Sequence, residues 1–330
     1  MKELLPVSVL IPIKDPSAKA LNRLAEAVSL QTAWPQEIVL VDTSNIPNSY
    51  LSDIFEQKIS NDITVKIVLA ANAFPGKARN IGIAAARRQF IAFLDLTTIP
   101  DSAWLERYFE EINQRNCDGI IGSCQFVGKN FFSWILIDGL FGRGPINSFP
   151  GSVFTSNGVR KIGPMLDKVR AGEDNEWLQR AKLMDVELRE LATNAHCKYF
   201  GFENITFPQF CRKWGRSYFS AATLPQYKLI SQFNLIVWSF LIVGLAFNWN
   251  AFFAEWDINH PMYLPHVSKI TFFALVFGYL GFRAVYLPLK KGTPIRYILS
   301  YRVLFIFITV FMADAIKSIA FLVGSLSPRH

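Results

Sequence analysis

The amino-acid sequence predicts an α/β domain with a doubly wound parallel sheet in residues 1–225, followed by a membrane domain in residues 226–330. Up to Leu224, short apolar runs alternate with amphipathic ones, whereas three long apolar blocks follow Ile230. The chain is also 51% hydrophobic, which is more apolar than an ordinary soluble domain. Part of the chain is therefore expected to lie in lipid.

The N-terminal half alternates candidate strands with candidate helices. PVSVLIPI is a continuous apolar run, typical of a strand that is covered on both faces, and EIVLVD, TVKIVLA and FIAFLD repeat this pattern. One helix is predicted after Asp15, a candidate N-cap with Pro16 at the first helical position. A second is expected at Gly76, and a third after Asp101 or Ser102. This order predicts right-handed crossovers and helices on both faces of the sheet.

Three aspartates, Asp15, Asp42 and Asp95, follow three of the predicted strands. A single aspartate in this place is usually a helix cap or a turn residue. Ligands of such sheets bind beyond the carboxyl ends of the strands, and three acids at one edge suit a hydroxyl-rich ligand or a divalent metal with phosphates. The helix start at Gly76 and Lys77 offers backbone N–H groups and cations to a diphosphate.

Four segments in order, VSVLIPIKD, EIVLVDTS, GKARNIGIAAARRQFIAFLDLTTIPDSAWL and GSVFTSNGVRKIGPMLDKVRAGEDNEW, together resemble the family 2 glycosyltransferases. These are inverting enzymes of the GT-A fold that move a sugar from a nucleotide donor. The later apolar blocks resemble the C-terminal anchors of members that build bacterial surface polysaccharides. The resemblance implies a hexosyltransferase-type enzyme, with a UDP-sugar as the expected donor and a membrane-held, lipid-linked acceptor.

The resemblance also implies a role for each residue that matches the family pattern. Asp42 would accept a hydrogen bond from the base, and Asp174 in GED would be the catalytic base, with Glu173 beside it. Taken alone, AGEDNEW also fits the acidic first turn of a helix. The residues expected at the donor are Pro12, Asp15, Asp42, Lys77, Arg79, Asn80 and Asp95.

The metal-binding motif of the family departs from its usual form in this chain. The family pattern is D-x-D, but the chain has Asp95, Leu96 and Thr97, so a hydroxyl replaces the second carboxylate. Mg²⁺ or Mn²⁺ bound to a diphosphate needs only one or two protein carboxylates, so a weaker metal site at Asp95 is expected. The alternative is a metal-independent protein or a non-catalytic nucleotide-sugar-binding scaffold of a polysaccharide assembly complex. The retained Asp174 favours catalysis.

Two further segments leave their interpretation open. QFCRKW resembles the QxxRW motif of processive synthases but has one extra residue, so Arg212, Lys213 and Trp214 are either acceptor or diphosphate contacts or interfacial residues. The same resemblance makes a small processive polysaccharide synthase a further alternative. FFSWILIDGLF is too short to span a bilayer and is either core or a membrane-dipping segment.

Three apolar blocks, at about 233–249, 270–287 and 303–324, each approach the length of a transmembrane helix. The flanking Lys and Arg residues predict a multi-pass membrane protein with a cytoplasmic N-terminal region and an outer loop at Trp256. The family resemblance implies that this is the inner membrane and that the cytoplasmic region is the catalytic domain. Asp314 and Lys317 share a helix face and are expected to pair, while Arg283 is expected to snorkel to the interface.

Net charge and cysteine content indicate the kind of binding partner and the cellular compartment. The net charge is +8, with cations grouped beside apolar stretches, which favours a membrane surface over nucleic acid as partner. The four cysteines have no metal-like spacing, as expected for a reducing, cytoplasmic domain.

Overall fold

A computed structural model describes residues 2–191, 196–224, 241 and 243–327 of the chain. The first predicted membrane block, 233–249, lies largely outside the described residues. The described part holds nine strands in one sheet. They are β1 (Leu4–Ile13), β2 (Trp34–Asp42), β3 (Thr64–Leu69), β4 (Phe90–Phe93), β5 (Thr98–Pro100), β6 (Gly119–Phe126), β7 (Ile146–Thr155), β8 (Leu188–Glu190) and β9 (Cys197–Tyr199).

The sheet follows the order β3-β2-β1-β4-β7-β6-β9-β5, and β8 pairs with β6. The first four strands in this order are parallel, as predicted, but β7 runs antiparallel to β4, so the sheet as a whole is mixed. In the parallel part Ile13 lies opposite Asp42, and Leu10 lies opposite Phe93. The carboxyl ends of β1, β2 and β4 therefore meet at one edge.

Helices connect the strands and form the C-terminal region. The described helices are α1 (Ala18–Ser29), α2 (Tyr50–Lys58), α3 (Pro75–Ala85), α4 (Trp104–Arg115), α5 (Phe131–Phe141, π-helical from Ile137), α6 (Ser156–Ile162), α7 (Glu173–Leu183), α8 (Phe207–Ala222), α9 (Trp249–Phe253), α10 (Val267–Lys290, π-helical over Leu280–Tyr286), α11 (Ile295–Ile298) and α12 (Arg302–Leu326).

Helices cover both faces of the sheet, so the predicted doubly wound α/β arrangement is confirmed. On one face, α1, α2 and α4 bury a core that includes Phe55, Trp104 and Tyr108. On the other face, α6 and α7 pack Trp177 against the sheet, and α3 buries Ala78. Because both faces are covered, the central strands are apolar on both sides, which explains their continuous apolar runs.

The cap of α1 differs from the prediction. Asp15 has a left-handed backbone with φ of 43° and donates its N–H to Ser44 Oγ at 2.8 Å. The helix begins three residues later, with Ser17 as N-cap accepting a hydrogen bond from the N–H of Ala20. Asp15 is therefore a turn residue, because its conformation points the chain away from the helix. The cap predicted for α4 is also displaced, to Ala103.

The C-terminal helices pack on one another and on the α/β domain. One face of α12 lies against α5 and α8: Gly139 approaches Val310, and the Trp214 indole N–H donates to the Ala313 carbonyl at 3.1 Å. The interpretation of FFSWILIDGLF as a core-packing segment agrees with the burial of Leu136. Within the described residues, α10 and α12 are long and apolar enough to cross a membrane.

The expected pair between Asp314 and Lys317 is wrong. Asp314 accepts two hydrogen bonds from the Arg283 guanidinium, at 2.6 and 2.5 Å, and one from the Tyr279 hydroxyl at 2.7 Å. Lys317 Nζ instead lies 5.0 Å from the ring centre of Tyr218. The forked guanidinium on α10 satisfies both carboxylate oxygens, which a lysine cannot do. Arg283 consequently joins α10 to α12 and does not snorkel.

Candidate functional site

A pocket of about 260 Å³ opens where the strand ends meet the first turn of α3. We call it the strand-end pocket. Residues of β1, the segments after β2, β3 and β4, the start of α3 and the loop before α7 all contribute to its wall. The lining residues are Pro12, Ile13, Lys14, Thr43, Asn72, Ala73, Phe74, Pro75, Ala78, Arg79, Asp95 and Arg170.

Arg79 lies at the base of this pocket and joins two acids that are far apart in sequence. Its guanidinium donates to Glu173 Oε1 at 2.6 Å and to Asp95 Oδ1 at 3.1 Å, and it lies 5.1 Å from the ring centre of Phe149. Burial lowers the pKa of Arg79, but the negative charges of Asp95 and Glu173 raise it more, so the pKa lies above its ordinary value. Arg79 is a permanent cation between two carboxylates.

Glu173 faces inward from the first turn of α7. The residue is 4% exposed, and its second carboxylate oxygen, Oε2, is buried without a hydrogen-bond partner. Burial raises the pKa of Glu173 and Arg79 lowers it, with a net value above that of an ordinary glutamate. The neighbouring Asp174 is partly exposed, and one of its oxygens accepts the N–H of Asn175 at 2.8 Å. The segment GED thus begins α7 and also brings Glu173 into the site.

The segment that holds these acids is attached to α8. Ser220 Oγ accepts the backbone N–H groups of Arg170 and Ala171 at 3.1 and 3.2 Å. Gly172 has a φ of 90°, and a Cβ at this position would come within 2.8 Å of a methyl group of Leu224. This left-handed turn before α7 requires glycine. The orientation of Glu173 and Asp174 therefore depends on α8.

The same segment touches the first turn of α3. A Cβ on Gly76 would lie 2.1 Å from the carbonyl oxygen of Leu166, so glycine is needed for this close approach. Asn80, one turn later, donates to the Met165 carbonyl at 2.8 Å and accepts the Met165 N–H at 2.8 Å. Asn80 thus holds the neighbouring loop, and Lys77 is exposed on the same turn of the helix.

Asp42 and Asp15 lie beside the strand-end pocket and do not form its wall. Asp42 is 1% exposed and accepts the N–H groups of Ser44 and Asn48 at 3.0 and 2.9 Å. Burial raises the pKa of Asp42, but these hydrogen bonds lower it more, so the carboxylate has a pKa below its ordinary value. Asp15 lines an adjacent depression with Tyr50. Contacts of either residue with a nucleotide stay predictions.

Four polar lining residues were not singled out from the sequence: Lys14, Thr43, Asn72 and Arg170. Lys14 follows the strand that ends beside Asp15, and Arg170 precedes GED by two residues, so both stood next to recognised motifs. Thr43 likewise follows Asp42 in EIVLVDTS, whereas Asn72 had no comparable signal. Together, Lys14, Arg79 and Arg170 make the pocket cationic, which suits the two phosphates of a nucleoside diphosphate.

A metal would have Asp95 as its protein carboxylate. Asp95 is partly exposed at the pocket, whereas the backbone oxygen of Thr97 accepts the N–H of Phe200 at 2.8 Å. In the part of the chain that the structure describes, there is no group of three or more His, Cys, Asp or Glu residues that could hold a metal. The pocket thus offers a divalent ion one carboxylate, that of Asp95, one oxygen of which already accepts a hydrogen bond from Arg79.

The residues of QFCRKW lie outside the strand-end pocket. Lys213 Nζ donates to the Tyr199 hydroxyl at 3.1 Å, and with Arg212 it lines a depression near Glu203. Trp214 packs against α12. None of these three lines the strand-end pocket. Their role as acceptor or diphosphate contacts stays a prediction.

Comparison with known proteins shows what the N-terminal part of the chain is similar to. Residues 8–164 match the family described as "Glycosyl transferase family 2". The chain is 28% identical over 136 residues to "Glycosyltransferase GlyG" of Streptococcus pneumoniae serotype 4, covering 41% of this chain and 42% of that protein. It is 31% identical over 124 residues to "Uncharacterized glycosyltransferase EpsJ" of Bacillus subtilis, covering 38% and 35%. The matches thus span less than half of either relative.

One of the solved structures that match the chain is "Crystal structure of S. aureus TarS 1-349 in complex with UDP-GlcNAc". It has 16% sequence identity and a TM-score of 0.47, and the match covers 98% of this chain and 90% of that chain. The mixed sheet with helices on both faces confirms the predicted α/β class of fold.

Proposed function

We propose, from the premise that residues 8–164 form a glycosyl transferase family 2 domain, that the protein is an inverting glycosyltransferase. It moves a sugar from a nucleotide-sugar, with a UDP-sugar as the first expectation, to an acceptor held at a membrane. The observation that supports this most is the junction of Arg79 with Asp95 and Glu173 at the strand-end pocket. These residues come from three separate segments, and the family resemblance had assigned a role to each of them.

The donor diphosphate lies against the first turn of α3 in this proposal. The free N–H groups at a helix start and the cations Lys14, Arg79 and Arg170 stabilise negative charge there. Asp174 removes the proton from the acceptor hydroxyl as that oxygen attacks the anomeric carbon, and the bond to the diphosphate breaks. Glu173 holds Arg79 in place, and its buried position keeps water away from this side of the pocket.

A divalent metal fits the proposal with Asp95 as its protein ligand. Mg²⁺ or Mn²⁺ bound there would neutralise charge on the leaving diphosphate. Arg79 occupies one oxygen of Asp95 and contributes a fixed positive charge at the same place. The chain thus provides one carboxylate and one guanidinium where the family motif has two carboxylates.

The membrane arrangement is part of the proposal. The exposed apolar faces of α10 and α12 support association with a membrane. We place the α/β domain in the cytoplasm and the loop at Trp256 outside, in a multi-pass protein of the inner membrane. An acceptor that is lipid-linked, and a role in surface polysaccharide or glycolipid synthesis within an assembly complex, follow from this placement.

Labelling of single cysteines tests this arrangement. With Cys211 replaced by Ser, a membrane-impermeant maleimide applied to intact cells should label Trp256→Cys but not Lys168→Cys, which lies on the α/β domain. Labelling of Lys168→Cys from outside would reverse the orientation.

Nucleotide release tests the activity. The detergent-purified protein is incubated with UDP-, GDP- and dTDP-sugars and native lipid extract, with and without a chelator. Asp174→Asn should lower the rate by about 10²-fold or more and leave donor binding intact, because it removes only the base. Asp62→Asn, an exposed acid outside the pocket, is the matched control. Equal rates for the wild type and Asp174→Asn would refute the assignment of the base.

A second candidate, a non-catalytic nucleotide-sugar-binding scaffold, is favoured by Thr97 in place of the second acid of the motif. An experiment in cells distinguishes the enzyme from the scaffold. An enzyme loses its role in polysaccharide synthesis when Asp174 becomes Asn, whereas a scaffold retains it.

A further inference from the structure

A second pocket, of about 720 Å³, lies where the end of α5 and the following loop meet α8, α10 and α12. We call it the helix-junction pocket. None of its lining residues belongs to the strand-end pocket. They are Leu140, Phe141, Pro145, Ile146, Asn147, Trp214, Tyr218, Arg283, Lys290, Lys291, Asp314 and Lys317.

The helix-junction pocket is lined by more positive than negative side chains. Four cations and one acid line it, and the acid, Asp314, is already neutralised by Arg283. Lys290, Lys291 and Lys317 remain, and within the described residues none of the three forms an ion pair with a carboxylate. Three unneutralised ammonium groups around one cavity repel one another, so an anion in the cavity is electrostatically favoured.

Two of the three lysines are held in place by their surroundings. Lys291 Nζ donates to the Leu140 carbonyl at 2.5 Å, and Lys317 Nζ lies over the ring of Tyr218. Lys290 is the last residue of α10, and its side chain is exposed. Each lysine still has donor capacity, because an ammonium group has three N–H donors.

Apolar surface flanks this cationic pocket. Phe282 and Tyr286 on α10 are each 53% exposed, and Phe311 on α12 is 54% exposed. Exposed aromatic side chains on the same helices as these lysines suit the boundary between headgroups and hydrocarbon in a bilayer. A ligand with both an anionic phosphate and hydrocarbon chains would satisfy both parts of this surface, whereas free phosphate would satisfy only one.

We propose that the helix-junction pocket binds the phosphate group of an anionic phospholipid, with the hydrocarbon chains of the lipid along α10 and α12. The site is distinct from the donor pocket and rests on the proposed membrane association, not on the identity of the donor sugar. Bound there, the lipid also bridges α8 and the membrane helices, because Trp214 and Tyr218 of α8 line the same cavity.

Native mass spectrometry of the full chain in detergent tests the proposal. The wild type, titrated with phosphatidylglycerol, should retain one molecule tightly, and phosphatidylcholine should bind far more weakly. The double variant Lys290→Ala/Lys317→Ala should lose about 30-fold in affinity for phosphatidylglycerol. Lys290→Arg/Lys317→Arg keeps both charges and should retain most of the affinity. Arg160→Ala/Lys182→Ala removes two exposed cations from the α/β domain and should bind like the wild type.

Three outcomes would overturn the proposal: equal binding of phosphatidylcholine, unchanged affinity in the double alanine variant, or displacement of the lipid by millimolar inorganic phosphate. The thermal unfolding midpoint of each variant, measured in the same detergent, shows whether it is folded. UDP binding by the same samples separates the two proposals. Loss of lipid binding with UDP binding intact affects only the helix-junction pocket, and the reverse affects only the proposed donor site.

Discussion

The α/β domain and the C-terminal helices arrange apolar and charged residues in opposite ways. In the α/β domain the largest side chains, such as Trp104 and Trp177, are completely buried. On α10 and α12, Phe277 and Ile319 are each 64% exposed, while the ion pair of Arg283 and Asp314 joins the two helices. Burial of apolar surface from water organises the first region, whereas the second places apolar surface outward and charge between helices, as suits lipid.

Each region contains an arginine paired with one or two carboxylates, but the two arginines have different roles. Arg79 joins Glu173 and Asp95 beside an open pocket, where a ligand can reach the charges. Arg283 joins two helices, and although it also lines the helix-junction pocket, its charge is neutralised by Asp314. The same pair of residue types therefore forms a site in one region and a helix contact in the other. Four predictions test this comparison.

The largest effect is expected from Arg79→Met. Removal of the guanidinium leaves the buried Glu173 without its partner, so the free energy of unfolding should fall by about 3–5 kcal/mol. Chemical denaturation followed by circular dichroism measures it. Arg160→Met, on the exposed side of α6, is the control and should change little. Adding Glu173→Gln to Arg79→Met should restore part of the loss, and simple additivity of the two changes would contradict the pairing.

A smaller loss is expected from Asp314→Ala. The change leaves Arg283 unpaired between α10 and α12 and should lower the free energy of unfolding by about 2 kcal/mol in a bilayer nanodisc. Replacement of both partners, Arg283→Met/Asp314→Leu, should recover most of this loss, because apolar side chains suit that contact. If the double variant is no more stable than Asp314→Ala, the pair is not what joins these helices.

Asp42→Asn should change how stability depends on pH. The pKa of Asp42 is lowered in the folded state, so its stabilising effect is complete above the ordinary aspartate pKa of about 4 and is lost as the pH falls below it. The variant should be less stable by about 1.5 kcal/mol at neutral pH, with a smaller loss of stability on acidification. Thermal unfolding between neutral pH and about pH 3 tests this. Parallel pH curves for the two proteins would contradict it.

The smallest effect is expected from Ser220→Ala. Loss of the three hydrogen bonds between the Ser220 hydroxyl and the loop before α7 should lower stability by about 1 kcal/mol and kcat by about fivefold, with the KM for the donor unchanged. Ser217→Ala is a matched control, because the Ser217 hydroxyl bonds only within α8, to the Lys213 carbonyl. Equal loss of kcat in both variants would mean that the helix as a whole, and not Ser220, positions the loop.

The candidate site was partly predictable from the sequence. Asp95 and Arg79 lie in segments with a clear strand or helix pattern, and both do line the strand-end pocket. The inward turn of Glu173 was not predictable, because it depends on Gly172, Ser220 and the contact with α8, all set by distant parts of the chain. Local pattern does not report which of two adjacent acids faces the interior.

The hydrogen-bond partners of Asp314 were likewise not predictable from local sequence pattern. Spacing along one helix correctly placed Asp314 and Lys317 on a common face, but the carboxylate is satisfied from another helix by Arg283 and Tyr279. Side-chain spacing identifies neighbours within a helix. It does not say which neighbour on a second helix offers better geometry.

The sequence by itself determined the succession of strands and helices up to about residue 115, the meeting of strand ends at one edge and the apolar character of the C-terminal helices. These follow from periodicity and composition, which are local properties. Only the tertiary structure decided that Arg79 lies between Asp95 and Glu173, that α8 holds the loop before α7, and that lysines from α10 and α12 surround one cavity. These arrangements depend on packing between segments distant in sequence, whose geometry is set by the whole fold.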